Sequence, residues 1–195
     1  MLETQREPVP RDDEGELATA RAFLDFARHC LLKKLEGLDE EQLRRRLVAS
    51  DTNLLGLVQH CAAGERWWFA YHLGGDEQYA DTDFTMVVPS DRSAADVIAD
   101  YRAAIAESDR HLDAASSPEH STAIAVDGVP KTLRWVLAHN VSEVIRHVGH
   151  ADILRELTDR SVGLYADNSN IPEWKKGAVE LYVDKLKNLA ERAGN

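Results

Sequence analysis

Glu143, His147 and His150 recur at four- and three-residue steps in the stretch EVIRHVGHADILRE, residues 143–156. At about 100° per residue they fall on one side of a helix. Val136 and Leu154 sit at nearly the same azimuth above and below, so the polar stripe is expected to face inward. Carboxylate and imidazole are donors for a divalent metal. Residues four apart on a helix hold their Cβ atoms about 5–6 Å from each other, which suits two ligands of one ion. A catalytic zinc-type site takes three protein ligands and keeps an open position, so the third ligand is expected from another helix. His60 is the candidate, in LLGLVQHCAAGERWWFAYHL, residues 54–73. Gly56 and Gly64 stand one turn before and after it. Each glycine costs a helix interior about 1 kcal/mol relative to alanine, which points to room kept open around the ring. Trp67 and Tyr71 continue that face as the wall of a small-molecule pocket. Spacing alone equally suits a hydrogen-bonded core histidine at 60 and a simple Glu143–His147 ion pair.

Other residues surround this set. His139, one turn before Glu143, is expected to hydrogen-bond it and fix its orientation. His150 reads as a supporting partner, a proton carrier, or a polar group holding the next helix. Arg66, Arg134 and Arg146 lie near the presumed pocket end, where one could grip a substrate carboxylate, although surface ion pairing is the commoner role for an arginine on a helix. Cys61 points about 100° away from His60. With Cys30 it reads as a reduced, buried thiol, there being no cysteine pair at zinc-site spacing.

These residues need helices to position them. Apolar residues repeat at helical steps from Gly15 or Glu16 to Gly37, and LDEEQLRRRL reads as a short helical turn. The stretch SDTN caps a second long helix from about Asn53 to Leu73. Residues 75–90 read as a loop with a short extended piece at FTMVV, and Ser90 with Asp91 is expected to cap a third helix ending near Ala115. STAIAVDGVPKT carries Asp-Gly and allows at most a small hairpin. A fourth helix runs from Leu133 to Leu157, residues 158–171 are irregular, and Pro172 opens a last amphipathic helix through Leu189. The fold expected is all-α, a four-helix bundle with an additional C-terminal helix.

The chain of 195 residues is long enough for one domain with a real core, placed at 15–195 behind a flexible arm at 1–14. Its net charge of −11 argues against a nucleic-acid partner. No apolar run suits a membrane span and the N-terminus lacks signal-peptide features, so a cytoplasmic location is expected.

LLGLVQHCAAGERWWF and LRWVLAHNVSEVIRHVGHADILREL together resemble the DinB-like superfamily of metal-binding four-helix bundles, specifically an actinobacterial branch of unknown function. The similarity runs from about Ala18 to Asn170. Many members use a histidine of the second helix and an H-x-x-x-H pair of the fourth, whereas here Glu143 stands where the first histidine of that pair would be. The mycothiol-dependent maleylpyruvate isomerase, a relative with this bundle, is similar in using His, Glu and His at one zinc. The resemblance implies a metal site of His60, Glu143 and His147. It also implies transfer or addition of a low-molecular-weight thiol of the mycothiol type to a small electrophile, and a homodimer. Zinc is the first expectation, with nickel, manganese or iron also suited to this donor set. Hydrolysis by a metal hydroxide on the same site and a non-enzymatic dimeric bundle with a structural metal are the alternatives.

Overall fold

The computed structural model describes residues 8–11, 13–163 and 177–193. Its helices are α1 (Glu16–Lys33), α2 (Glu40–Arg44), α3 (Leu54–Glu65), α4 (Ala94–Ala114), α5 (Leu133–Asp159) and α6 (Ala178–Ala193). A π-helical segment, Arg66–Leu73, continues α3, and a 3-10 turn follows at Glu77–Tyr79. Among the described residues there is no strand; isolated bridges join Ser121 to Thr132 and Val126 to Val129. The expected arm at 1–14 and the helix start at Pro172 fall mostly or wholly outside the described residues, as does the end of the expected 158–171 loop. No described helix is long and apolar enough to cross a membrane.

The four long helices form the bundle: α1 packs on α5, α5 on α3, and α3 with its π continuation on α4. One contiguous core, including Leu24, Leu31, Leu55, Leu57, Phe69 and Val136, fills the space between them. Caps fix the helix starts. Asn53 accepts from the Gly56 amide at 2.9 Å to start α3, and Thr132 accepts from the Trp135 amide at 3.3 Å to start α5. The cap of α4 is Ser93, not Ser90 or Asp91. Ser93 and Asp96 form a reciprocal capping box, which satisfies two orphan amides at once. The preceding turn is held elsewhere, by the Arg44 guanidinium on the carbonyls of Val88, Pro89 and Arg92.

α1 ends at Lys33, short of Gly37, because α5 supplies its cap. The buried Arg155 donates to the carbonyls of Lys34 at 2.9 Å and Glu36 at 2.7 Å, groups a helix end leaves without intrahelical partners. FTMVV forms no strand. The DGVP segment does turn tightly: Asp127 and Gly128 both have positive φ, 49° and 75°, as a two-residue type I′ hairpin requires.

A polar junction lies inside the core. Arg28, 1% exposed, donates to both Glu65 carboxylate oxygens at 2.7 and 2.6 Å, and its remaining terminal nitrogen reaches Asp25 at 2.8 Å and Asp109 at 2.9 Å. One side chain thereby ties α1, α3 and α4. Breaking a buried pair from one side costs about 3–5 kcal/mol, whereas replacing both partners by apolar residues is often nearly neutral. Glu65→Ala is therefore expected to lower unfolding free energy by about that amount in urea titrations, and Arg28→Met with Glu65→Leu to lose much less than the two single changes combined.

Candidate functional site

His60 projects from α3, and Glu143 and His147 from α5, into one cavity of about 320 Å³. The two imidazoles meet edge to face with ring centroids 4.8 Å apart. Nδ1 of His60 lies 2.8 Å from the Phe84 carbonyl oxygen. A carbonyl only accepts, so Nδ1 carries a proton, and in the neutral ring Nε2 is then the nitrogen with the lone pair. His147 is 8% exposed, and its Nε2 lies 3.9 Å from Glu143 Oε2. Its Nδ1 is buried with no hydrogen-bond partner. Burial, reinforced by the neighbouring His60 and opposed by the Glu143 carboxylate, pushes His147 down to about 4. It is neutral at neutral pH, the form able to bind a metal.

The donor types fit a divalent metal: two imidazoles, one with its far nitrogen held by a backbone carbonyl in the manner usual for metal-bound histidine, and a carboxylate. Glu143 is the outlying member, its side chain 48% exposed. Among the described residues no three His, Cys, Asp or Glu side chains gather closely enough to enclose an ion.

The 83–88 segment owes its position to α3. Gln59 Nε2 donates to the carbonyls of Thr85 at 3.1 Å and Val87 at 3.2 Å. At Gly56 a Cβ would overlap the Met86 carbonyl oxygen. Gly56 thus serves close approach of this segment, which brings the Phe84 carbonyl onto His60, and not an opening around the ring. At Gly64 a Cβ would meet nothing within 4 Å, in keeping with free space there. Side chains of α3, not a second strand, take the carbonyls of Phe84, Thr85 and Val87 in FTMVV.

Aromatic rings wall the cavity. Phe84 stands 5.8 Å from His60 and 5.7 Å from Trp67, and Tyr71 stacks behind Trp67 at 4.7 Å. Trp68 packs on His72 at 5.3 Å and on His139 at 4.3 Å. His139 lies parallel to Trp135 at 4.9 Å and makes no hydrogen bond to Glu143; burial lowers its pKa. His150 is exposed, 5.7 Å from His147, and faces a separate groove with Val48, Ser50 and Ile153. Cys61 lines the cavity wall, but burial raises its thiol far above the usual range, so it is no thiolate. Arg66 is taken by Asp100 at 2.6 Å and lies over the Tyr79 ring. Arg134 is taken by Glu16 and Glu119, and Arg146 is exposed on α5 outside the cavity lining. Phe84 and His72 were not singled out from the sequence. Phe84 has no periodicity to mark it, although Gly56 signalled a close backbone approach one turn from His60. His72 exchanges hydrogen bonds with Ile124, ring to carbonyl and amide to carbonyl, both at 3.0 Å.

A four-helix bundle presenting two histidines and a glutamate from facing helices to a small cavity has the plan of the DinB-like class. Residues 19–160 match the family model described as MST, Mycothiol-S-transferase, and the chain belongs to that family. The matched stretch includes every residue of the cavity. No curated protein matches the chain.

Gly56→Ala tests how the loop is held. Helix propensity favours alanine by about 1 kcal/mol, but overpacking against a carbonyl costs about 1–3 kcal/mol. The variant is expected to melt lower than the parent and to be cut faster by protease within residues 80–90; a higher melting temperature would show that the loop moves aside freely. Asp100 gives a pH expectation. Burial disfavours its charged form, but the hydrogen bonds from Arg66 and Arg92 outweigh this and lower its pKa in the folded chain. That contribution is present above the unfolded value of about 3.9 and is lost as pH falls through the lower folded value. Asp100→Asn should therefore flatten the acid limb of the stability curve.

Proposed function

We propose that this chain is a thiol S-transferase acting on a small electrophile with a low-molecular-weight thiol of the mycothiol type, and that His60, Glu143 and His147 hold a divalent metal, zinc first. The observation that carries this reading is the facing pair of imidazoles from α3 and α5, 4.8 Å apart, with a carboxyl group beside them at the mouth of a cavity. When bound, such an ion would stabilise a thiolate at neutral pH, as it lowers the pKa of bound water to about 7. The rest falls to the chain. His60 is held in one tautomer by the Phe84 carbonyl, so that its lone pair faces the site without reorganisation. His147 stays unprotonated through burial, and Glu143 closes the donor set from the solvent side. Trp67, Trp68 and Phe84 exclude water from the sulfur and give the electrophile a surface to lie on, while the thiol proton leaves through the open mouth. A homodimer in the cytoplasm completes the reading. The exposed Leu181, Tyr182, Leu186 and Leu189 on α6 supply an apolar surface for self-association.

Protein purified without added metal should contain about one equivalent of a divalent ion and catalyse conjugation of mycothiol to an electrophile such as chlorodinitrobenzene. His60→Ala and Glu143→Ala should lose the ion and lower kcat/KM by more than about 100-fold, the upper range for disturbing merely the groups behind a ligand. A metal-free parent that refuses zinc, nickel and manganese would remove the metal centre. Metal binding with ester hydrolysis but no thiol transfer would move the chain to the hydroxide reading.

A further inference from the structure

We infer that the electrophile taken by this site is an uncharged, flat, aromatic or conjugated molecule, recognised by ring contact with Trp67, Trp68 and Phe84 and discriminated against when it carries a carboxylate. The inference rests on the thiol-transfer reading for the chemistry, but on the cavity alone for the choice of ligand.

Three observations carry it. First, among the described residues no lysine or arginine lines the cavity, and Glu143 is its one carboxylate. Of the cations that its sequence places nearby, Arg66 is committed to Asp100, Arg134 to Glu16 and Glu119, and Lys131 lies over the outer Trp135 ring at 5.4 Å, while Arg146 stands exposed on α5 outside the cavity lining. A carboxylate entering would shed water beside Glu143 with no partner to replace it. Second, the aromatic faces are fixed in advance. Tyr71 backs Trp67, and His72 and His139 back Trp68. Rigid ring surfaces bind a flat ligand with little loss of side-chain freedom. Third, the cavity of about 320 Å³ lies at the small end for ligand sites. It accommodates a one-ring electrophile with the tip of the thiol, leaving the remainder of the thiol outside.

For a chloroarene the step balances without an oxidant. The thiolate sulfur donates an electron pair to the ring carbon and the C–S bond forms. The C–Cl bond then breaks with its pair, chloride leaves, and the thiol's proton goes to solvent. Phe84 is a specificity residue here. Its ring is 37% exposed at the mouth, so truncation leaves the core intact.

The experiment compares matched pairs on the full chain. Reactive partners are 1-chloro-2,4-dinitrobenzene and 4-chloro-3,5-dinitrobenzoate with mycothiol, each rate divided by its uncatalysed rate. Inert partners are 2,4-dinitroaniline and 4-amino-3,5-dinitrobenzoate, with binding measured by calorimetry. The uncharged member is expected to be favoured by about tenfold or more in both series, within the range a shaped apolar pocket achieves. Phe84→Ala should erode that preference mainly through KM and Kd, with circular dichroism unchanged. Equal or tighter binding of the carboxylate would overturn the inference; if Arg146→Ala abolished that binding, the anion would lie at the mouth. Transfer without preference overturns this inference and leaves the thiol-transfer reading standing. Preferential binding without any transfer does the reverse.

Discussion

A guanidinium with 1% exposure is tolerable only if each of its donors finds a partner, and at Arg28 this condition organises three helices. Glu65 takes two donors in the fork geometry that arginine and carboxylate share, while Asp25 and Asp109 share a third nitrogen from either side. The fork fixes rotation as well as distance. Glu65 must face α1 and α4, and His60, five residues earlier, is then turned roughly 140° away around the same helix, toward α5. The α5 register is set from the other end of the bundle. Arg155 holds the Lys34 and Glu36 carbonyls of the turn that follows α1, and Lys34 bonds Asp152 at 2.6 Å and the Gly163 carbonyl at 2.9 Å. His60 and His147 face each other because each helix is locked to α1 by a buried cation.

Immediately after Glu65 the helix changes character. From Arg66 to Leu73 the chain winds as a π-helix, and the Gly74 amide reaches back five residues to Phe69 at 2.9 Å. A wider turn alters the azimuths of bulky side chains without ending the helix. Along it Trp67 and Trp68 both line the cavity, while Phe69 and Ala70 stay in the core. The wall opposite comes from a loop with no secondary structure of its own, pinned by Gln59, His60 and the missing side chain of Gly56. One helix therefore supplies a donor, the ring wall and the clamp for the loop that completes them.

The bundle was legible in the sequence because helical periodicity is a local signal. The starts at Asn53 and Leu133, the Asp-Gly turn and the burial of both cysteines followed from residue type and neighbours alone. The convergence of His60 with Glu143 and His147 on one cavity was legible for a related reason: two helices of a bundle offer few inward stripes, and each of these carried polar residues where apolar ones belonged. What escaped depends on geometry between segments. Ser90 was mistaken for the α4 cap because both stretches offer a hydroxyl, and only the Ser93–Asp96 pairing with Arg44 occupying the earlier turn decides between them. His139 could equally hydrogen-bond a carboxylate or stack on indoles, and the choice lies with Trp68, distant in sequence. The π-helical winding left no mark in a pattern read at fixed period.

The imidazole pair itself makes a case about purpose. Edge-on rings at 4.8 Å cannot comfortably share positive charge, and burial lowers His147 further. Glu143 does little to offset this, since its carboxylate stands half in water and 3.9 Å from the ring nitrogen. The result is a buried imidazole held in its neutral form, with a nitrogen of His147 left without a partner. A leucine at 147 would fill the same space without that cost, and a leucine at 60 would release the Phe84 carbonyl to water. At 147, where packing and hydrogen bonding both argue for an apolar residue and the chain keeps histidine, the local expense is of the kind that clusters at functional sites.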